Sequence, residues 1–122
     1  MLEELIGRYP VLESCRESIR QAYQALEECF LAGGKLLVAG NGGSAADSDH
    51  IVGELMKGFV KKRPLPDSLV QALKEADPQR GAELSQKLQG ALPAIALTNH
   101  VALSSAFAND VDGILSYAQQ VN

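Results

Sequence analysis

Hydrophobic residues near the start of the chain recur at intervals of three and four positions. They are Leu12, Cys15, Ile19, Ala22, Tyr23, Leu26 and Phe30. This spacing gathers them on one face of an α-helix. The pattern predicts a long N-terminal helix within residues 1–33 that ends at Gly33-Gly34, and Pro10 marks where it either begins or bends. Such a long apolar face must be buried against another surface, and we expect a second subunit to provide that surface.

The next pattern is a short apolar run followed by a glycine-rich turn and a second helical stretch. Residues 35–39 are predicted to form a strand, Gly40 to Ser44 the turn and residues 45–59 the helix. Ser44 is a favoured N-cap residue, and Asp47 stands where a capping-box acid is found. The free N–H groups at such a helix start favour a bound anion, so this segment predicts a phosphate-binding turn.

Two further features complete the α/β pattern. Helix-like stretches lie on either side of Asp77-Pro78, and residues 92–98 form a second apolar strand. Short helical stretches follow at 102–108 and 114–121. Helices between the two strands predict a parallel pair. Because two parallel strands make a poor sheet alone, the order is typical of the front half of a doubly wound domain.

Composition narrows the class of protein. The 122 residues are 46% hydrophobic, which suits one packed domain, and the net charge of −4 argues against a nucleic-acid-binding surface. Cys15 and Cys29 lie nearly four helical turns apart, too far to form a disulfide along a straight helix. No leader and no apolar run of membrane-spanning length is visible, so we expect a cytoplasmic protein that does not bind membranes.

The helix after the glycine turn carries three residues suited to chemistry. Asp47, His50 and Glu54 are spaced by three and four, so they share one face. His50 and Glu54 have a spacing that can hold a divalent metal, and Glu54 can equally act as a general base. A solvated polar face is the alternative. Asn109 and Asp110, which follow the 102–108 helix, suit either a simple turn or hydrogen bonds to sugar hydroxyls.

These residues together resemble a known family. AGNGGSAADSDHIVGELMKGF at 39–59, LPAIALT at 92–98 and FANDVDGI at 107–114 are similar to the sugar isomerase (SIS) domain and, within it, to the phosphoheptose isomerase branch. The resemblance implies a partial doubly wound, Rossmann-like or flavodoxin-like α/β domain. One SIS-type domain would then span 1–122, with the N-terminal helix at 1–33, the phosphosugar motif at 35–59, a helical insertion at 67–89 and the second strand and helices at 92–122.

The resemblance also implies roles for individual residues. The residues that match substrate contacts are Asn41, Gly42, Gly43, Ser44, Asn109 and Asp110. His50 and Glu54 match zinc ligands, and Glu54 also matches the proposed base. The family interconverts sedoheptulose 7-phosphate and glycero-manno-heptose 7-phosphate, which requires a proton to move between adjacent carbons through an enediol.

Other parts of the family pattern are missing. The Ser/Thr-rich second phosphate loop is absent, as are the later Gln and His that complete the metal site. Two ligands do not make a closed zinc site. We therefore expect the chain to be inactive by itself. The alternative is a non-catalytic SIS regulator that binds a phosphosugar or a protein. In either case the resemblance favours a homo-oligomer, a dimer or tetramer.

Overall fold

A computed structural model describes all of residues 1–122, and it divides into two compact units, Met1–Leu36 and Leu37–Asn122. The assignment of the whole chain to one SIS-type domain stays a prediction. None of the helices has both the length and the apolar character that a membrane crossing requires.

The first unit is helical. Helix α1 spans Leu2–Arg8, a 3₁₀ helix spans Pro10–Cys15, and α2 spans Arg16–Leu31. Pro10 occupies the first position of the 3₁₀ helix, where its fixed φ is suitable and its missing N–H costs nothing. The single long helix expected within 1–33 is therefore two α-helices joined by a 3₁₀ segment.

Helix α2 ends where the glycine pair predicts. Gly33 has φ +76°, its N–H donates to Phe30 O, and the Gly34 N–H donates to Cys29 O at 2.8 Å. This pair of hydrogen bonds forms a Schellman motif. The motif satisfies carbonyl groups at the helix end and needs a residue that tolerates positive φ. The predicted end of the long helix is confirmed.

The second unit contains the sheet. Its elements are β1 (Leu36–Val38), α3 (Gly43–Met56), α4 (Asp67–Ala76), α5 (Pro78–Lys87), β2 (Ala94–Ala96), a 3₁₀ turn (Leu97–Asn99), α6 (Val101–Asp110), a second 3₁₀ turn (Gly113–Leu115) and α7 (Ser116–Val121). Strands β1 and β2 pair in parallel, which confirms the α/β fold class. Each strand is only three residues long, shorter than the sequence predicts.

Helix α3 packs on β2 through one stripe of side chains. The stripe is Ala45, Ser48, Val52 and Leu55, of which Ser48 and Val52 are buried. Ser48 satisfies its buried hydroxyl by donating to Ser44 O at 2.7 Å. Leu37 and Ile95 point to the other face of the sheet and stay 41% and 44% exposed. In this unit, then, α3 covers one face of the sheet and leaves the other open.

Helices α4 and α5 form a tight antiparallel hairpin. Asp77 caps α5 by accepting from the Arg80 N–H at 2.8 Å, and Pro78 takes the first helical position. Gly81 is buried where the helices meet, and a Cβ there would lie 2.2 Å from Leu73 O. The two helices predicted around Asp77-Pro78 are present.

Candidate functional site

The glycine turn links the carboxyl end of β1 to the start of α3. Gly42 has φ +58° and ψ −127°, which makes it the residue at which the chain changes direction. Gly40 is held close against the helix, because a Cβ on it would lie 2.5 Å from Ser44 O. Both positions therefore require glycine, one for its backbone angles and the other for lack of space.

The first turn of α3 begins earlier than the sequence predicts. Gly42 is the N-cap, the helix starts at Gly43, and neither Ser44 nor Asp47 caps it. The prediction of Ser44 as N-cap was wrong because the positive φ of Gly42 turns the chain into the helix two residues sooner. Since it is not used as a cap, the exposed Ser44 side chain donates no hydrogen bond within the chain.

The open end of α3 presents backbone donors. The Ser44 and Ala45 amides bond to Asn41 O and Gly42 O at 3.2 and 3.1 Å, whereas the exposed Gly42 and Gly43 donate to no backbone carbonyl outside the helix. Free N–H groups and the positive end of the helix dipole attract an anion. Together with the free Ser44 hydroxyl, they can hold a phosphate group.

Tyr117 on α7 anchors this turn, and no sequence pattern indicates this role. Its hydroxyl donates to Gly40 O at 2.7 Å and lies 3.3 Å from Oδ1 of Asn41. A contact across 77 residues leaves no local spacing pattern. The turn is thus tied to the last helix of the chain as well as to β1 and α3.

The polar residues of α3 form a stripe on the side away from the sheet. Asp47 and His50 are exposed and Glu54 is half-buried. At about 100° per residue, this stripe lies roughly 140° around the helix from the stripe that covers β2. At 1.5 Å per residue, His50 and Glu54 lie about 9 and 15 Å along the axis from Ser44.

The donors present do not fit a zinc ion. The spacing of His50 and Glu54 brings two donors to one face, but nowhere does the structure gather three or more His, Cys, Asp or Glu side chains that could hold a metal. Zinc sites have at least three protein ligands. These residues alone therefore supply at most part of a metal site, and no chemical step is assigned to a metal.

Asp49, on the same helix, was not singled out from the sequence. Its Oδ1 accepts from Thr98 Oγ1 at 2.7 Å and from Asn99 Nδ2 at 3.1 Å. These bonds join α3 to the 3₁₀ turn that follows β2. The carboxyl ends of both strands are in this way fixed to the helix that begins at the glycine turn.

The carboxyl end of α3 is closed by Arg63. Its guanidinium donates to Leu55 O at 2.5 Å and to Gly90 O at 2.8 Å. The backbone of the same residue accepts from the Gly90 N–H at 2.9 Å. A cation at a helix end satisfies free carbonyls and opposes the negative end of the dipole. Arg63 therefore has a structural role at the end of α3.

Asn109 and Asp110 lie in a helix and not in the turn predicted after it. They are the last two residues of α6, which extends two residues beyond the predicted end at Ala108. Both are exposed, and neither side chain bonds to the glycine turn. The structure brings Tyr117 to the turn, but it shows no contact that brings Asn109 or Asp110 there.

Comparison with known proteins identifies the family of the chain. The profile of the SIS domain family matches residues 8–91. The chain is 32% identical over 103 residues to the phosphoheptose isomerase of Desulfovibrio desulfuricans, covering 84% of this chain and 37% of that protein. It is 32% identical over 130 residues to the phosphoheptose isomerase of Methylibium petroleiphilum, covering 99% of this chain and 52% of that protein.

A third relative, the phosphoheptose isomerase of Syntrophotalea carbinolica, is 35% identical over 94 residues, covering 77% of this chain and 35% of that protein. The chain thus spans about a third to a half of the length of these relatives. The family profile matches more than half of the chain. The chain therefore belongs to the SIS domain family.

Proposed function

We propose that this chain binds a sugar phosphate at the glycine turn and forms the front part of an aldose–ketose isomerase of the phosphoheptose isomerase type. The observation that carries the proposal is the open end of α3, where the Gly42 and Gly43 amides and the Ser44 hydroxyl are consecutive in the chain and have no partners within it. A dianionic phosphate suits this arrangement, since charged acceptors form the stronger hydrogen bonds. The relatives are named phosphoheptose isomerases, which favours a heptose phosphate as the ligand.

The remaining residues fit the needs of such an isomerisation. With the phosphate at the turn, the sugar would extend along the polar stripe of α3 as far as the level of His50, and the role of Glu54 rests on the family pattern. The half-buried Glu54 carboxylate would act as the base that moves a proton between the first two carbons through an enediol. Asn41, and in the family pattern Asn109 and Asp110, would bind sugar hydroxyls.

Binding can be tested by isothermal titration with sedoheptulose 7-phosphate at fixed salt. We expect binding to the phosphate ester and none to sedoheptulose, which lacks the charge. Ser44→Ala should weaken binding about 10- to 150-fold, because it removes one hydrogen bond to a charged group. Ser105→Ala is a matched control, since the Ser105 hydroxyl donates to Ala102 O on α6. Equal affinity for both sugars would contradict a phosphate site at the turn.

Turnover is a separate matter from binding. We propose that the 122-residue chain alone does not isomerise heptose phosphates, because His50 and Glu54 lack a third donor and the second phosphate loop of the family has no match here. Zinc titration should accordingly show no tight binding. Measurable isomerisation that Glu54→Gln abolishes would contradict this part of the proposal.

A regulator that binds a phosphosugar without converting it is the second candidate. It is favoured by the absence of a complete group of metal donors. The two candidates differ in one measurement. When the chain is mixed with a relative whose own Glu base has been replaced, only an enzyme front part can restore isomerisation by supplying Glu54.

We also propose that copies of this chain assemble with one another. Tyr23 on α2 is 58% exposed, and an open apolar groove of about 540 Å³ lies in the first unit among Leu2, Leu5, Ile19 and Tyr23. We infer a cytoplasmic homo-oligomer, a dimer or tetramer, in which this surface is covered.

A further inference from the structure

Tyr117 makes two contacts to the glycine turn that differ in kind. Its hydroxyl oxygen lies 2.7 Å from Gly40 O, the usual length of an O–H···O hydrogen bond. The contact to the Asn41 side-chain amide is longer, with Oδ1 placed 3.3 Å from the phenol oxygen. The first contact is partly buried and the second is exposed.

A phenol has only one proton, so it cannot donate fully to both groups. The shorter contact takes the proton, because the Gly40 carbonyl can only accept. The lone pairs of the Tyr117 oxygen then face the Asn41 amide, and an amide oxygen placed there would be repelled. The amide nitrogen, by contrast, can donate to those lone pairs. A half-turn of the planar amide exchanges its oxygen and nitrogen with almost no change of shape.

We propose that Tyr117 is a positioning residue that holds Asn41 with its amide nitrogen on the phenol and its carbonyl oxygen directed to the ligand. So oriented, Asn41 accepts a hydrogen bond from a hydroxyl group and does not donate to a phosphate oxygen. The turn then selects a ligand that carries a hydroxyl beside its phosphate. The inference depends on the proposed function only in taking that ligand to be a sugar phosphate.

The first test needs no ligand. Tyr117→Phe keeps the ring and removes the hydroxyl, and Tyr23→Phe is the matched control because the Tyr23 hydroxyl donates to Glu27 on the exposed side of α2. NMR measures solvent exchange of the Asn41 side-chain amide protons, and circular dichroism confirms that both variants fold. We expect exchange to accelerate about 2- to 10-fold in Tyr117→Phe alone. Unchanged exchange would overturn the inference.

The second test is a double-mutant cycle on the affinity for sedoheptulose 7-phosphate. Tyr117→Phe and Asn41→Ala should each weaken binding, and the double variant should lose less affinity than the sum of the two single losses. Part of the effect of Tyr117 acts through Asn41, and the rest acts through its bond to Gly40 O. Additive losses would mean that Tyr117 only stabilises the fold, and the inference would fall. If the unaltered chain binds no sugar phosphate, the proposed function fails instead, and the amide exchange rate alone decides the position of Asn41.

Discussion

Gly42 has the conformation on which the shape of the glycine turn depends. Its φ of +58° combined with ψ of −127° lies in a region that residues with a Cβ rarely adopt. Gly43, the next residue, has no positive φ and no atom near the place of its Cβ. Neighbouring glycines in one motif thus have different physical requirements.

This difference predicts opposite outcomes for two alanine substitutions. Gly42→Ala should lower the free energy of unfolding by about 1–2 kcal/mol, because it forces a side chain into the left-handed half of backbone space. Gly43→Ala should be neutral or slightly stabilising, since it restricts the unfolded chain without straining the folded one. Urea denaturation followed by circular dichroism measures both. Equal losses in the two variants would contradict the assigned role of Gly42.

The sequence predicts residue types at the site better than it predicts their contacts. The glycines and Ser44 are visible as a motif, but Ser44 reads as an N-cap because the backbone angles of Gly42 are not encoded in any spacing. Tyr117 and Asp49 escape detection for a related reason. Their partners, Gly40 and Thr98, are distant in sequence and become neighbours only after the sheet forms.

At the scale of elements, every helix and strand expected from periodicity is present in the expected order. The ends differ because they depend on local geometry. Helix α2 begins at Arg16 and not at Pro10, since the proline starts a 3₁₀ segment first. Helix α6 includes Asn109 and Asp110 because nothing stops it until Val111 leaves the helical region.

The α4–α5 hairpin depends on one close approach. Gly81→Ala should separate the two helices, since the added Cβ would meet the Leu73 carbonyl at 2.2 Å. We expect faster hydrogen exchange across residues 67–87 and a loss of about 1–3 kcal/mol, as for an overpacked core site. Gly53→Ala in α3 is the matched control, because its Cβ meets nothing within 4 Å. It should stabilise by about 0.5–1 kcal/mol. Unchanged exchange in the hairpin would show that the helices tolerate the methyl group.

The start of α2 should respond to pH. Hydrogen bonds from Arg16 and Arg20 lower the pKa of the Glu13 and Glu17 carboxyls below their ordinary value. A lowered pKa in the folded state means that the stabilisation is present at neutral pH and is lost as pH falls through the folded-state pKa. NMR amide shifts of residues 16–31 should therefore report less helix at pH 3 than at pH 6. Glu17→Gln should reduce this change, and a change of the same size in that variant would contradict the assignment.

At the scale of the whole molecule, apolar side chains on α2 remain uncovered. Light scattering should give the mass of a dimer or a tetramer of the 13.0 kDa chain. Tyr23→Glu together with Leu26→Glu should shift it toward the monomer, because charges placed at a buried interface are costly. Gln24→Glu with Gln21→Glu, on polar positions of the same helix, is the control pair. A monomer at all concentrations would contradict the proposed assembly.

The closure at Arg63 and Gly90 has a consequence for how the gene can change. Chain segment 64–89 begins and ends at neighbouring residues, because Arg63 and Gly90 are joined by backbone and side-chain hydrogen bonds. The cost of closing a loop grows only slowly with its length. A single insertion or deletion event can therefore resize the hairpin while α3 and β2 keep their places. For protein engineering, this junction is a natural site to graft a fluorescent reporter.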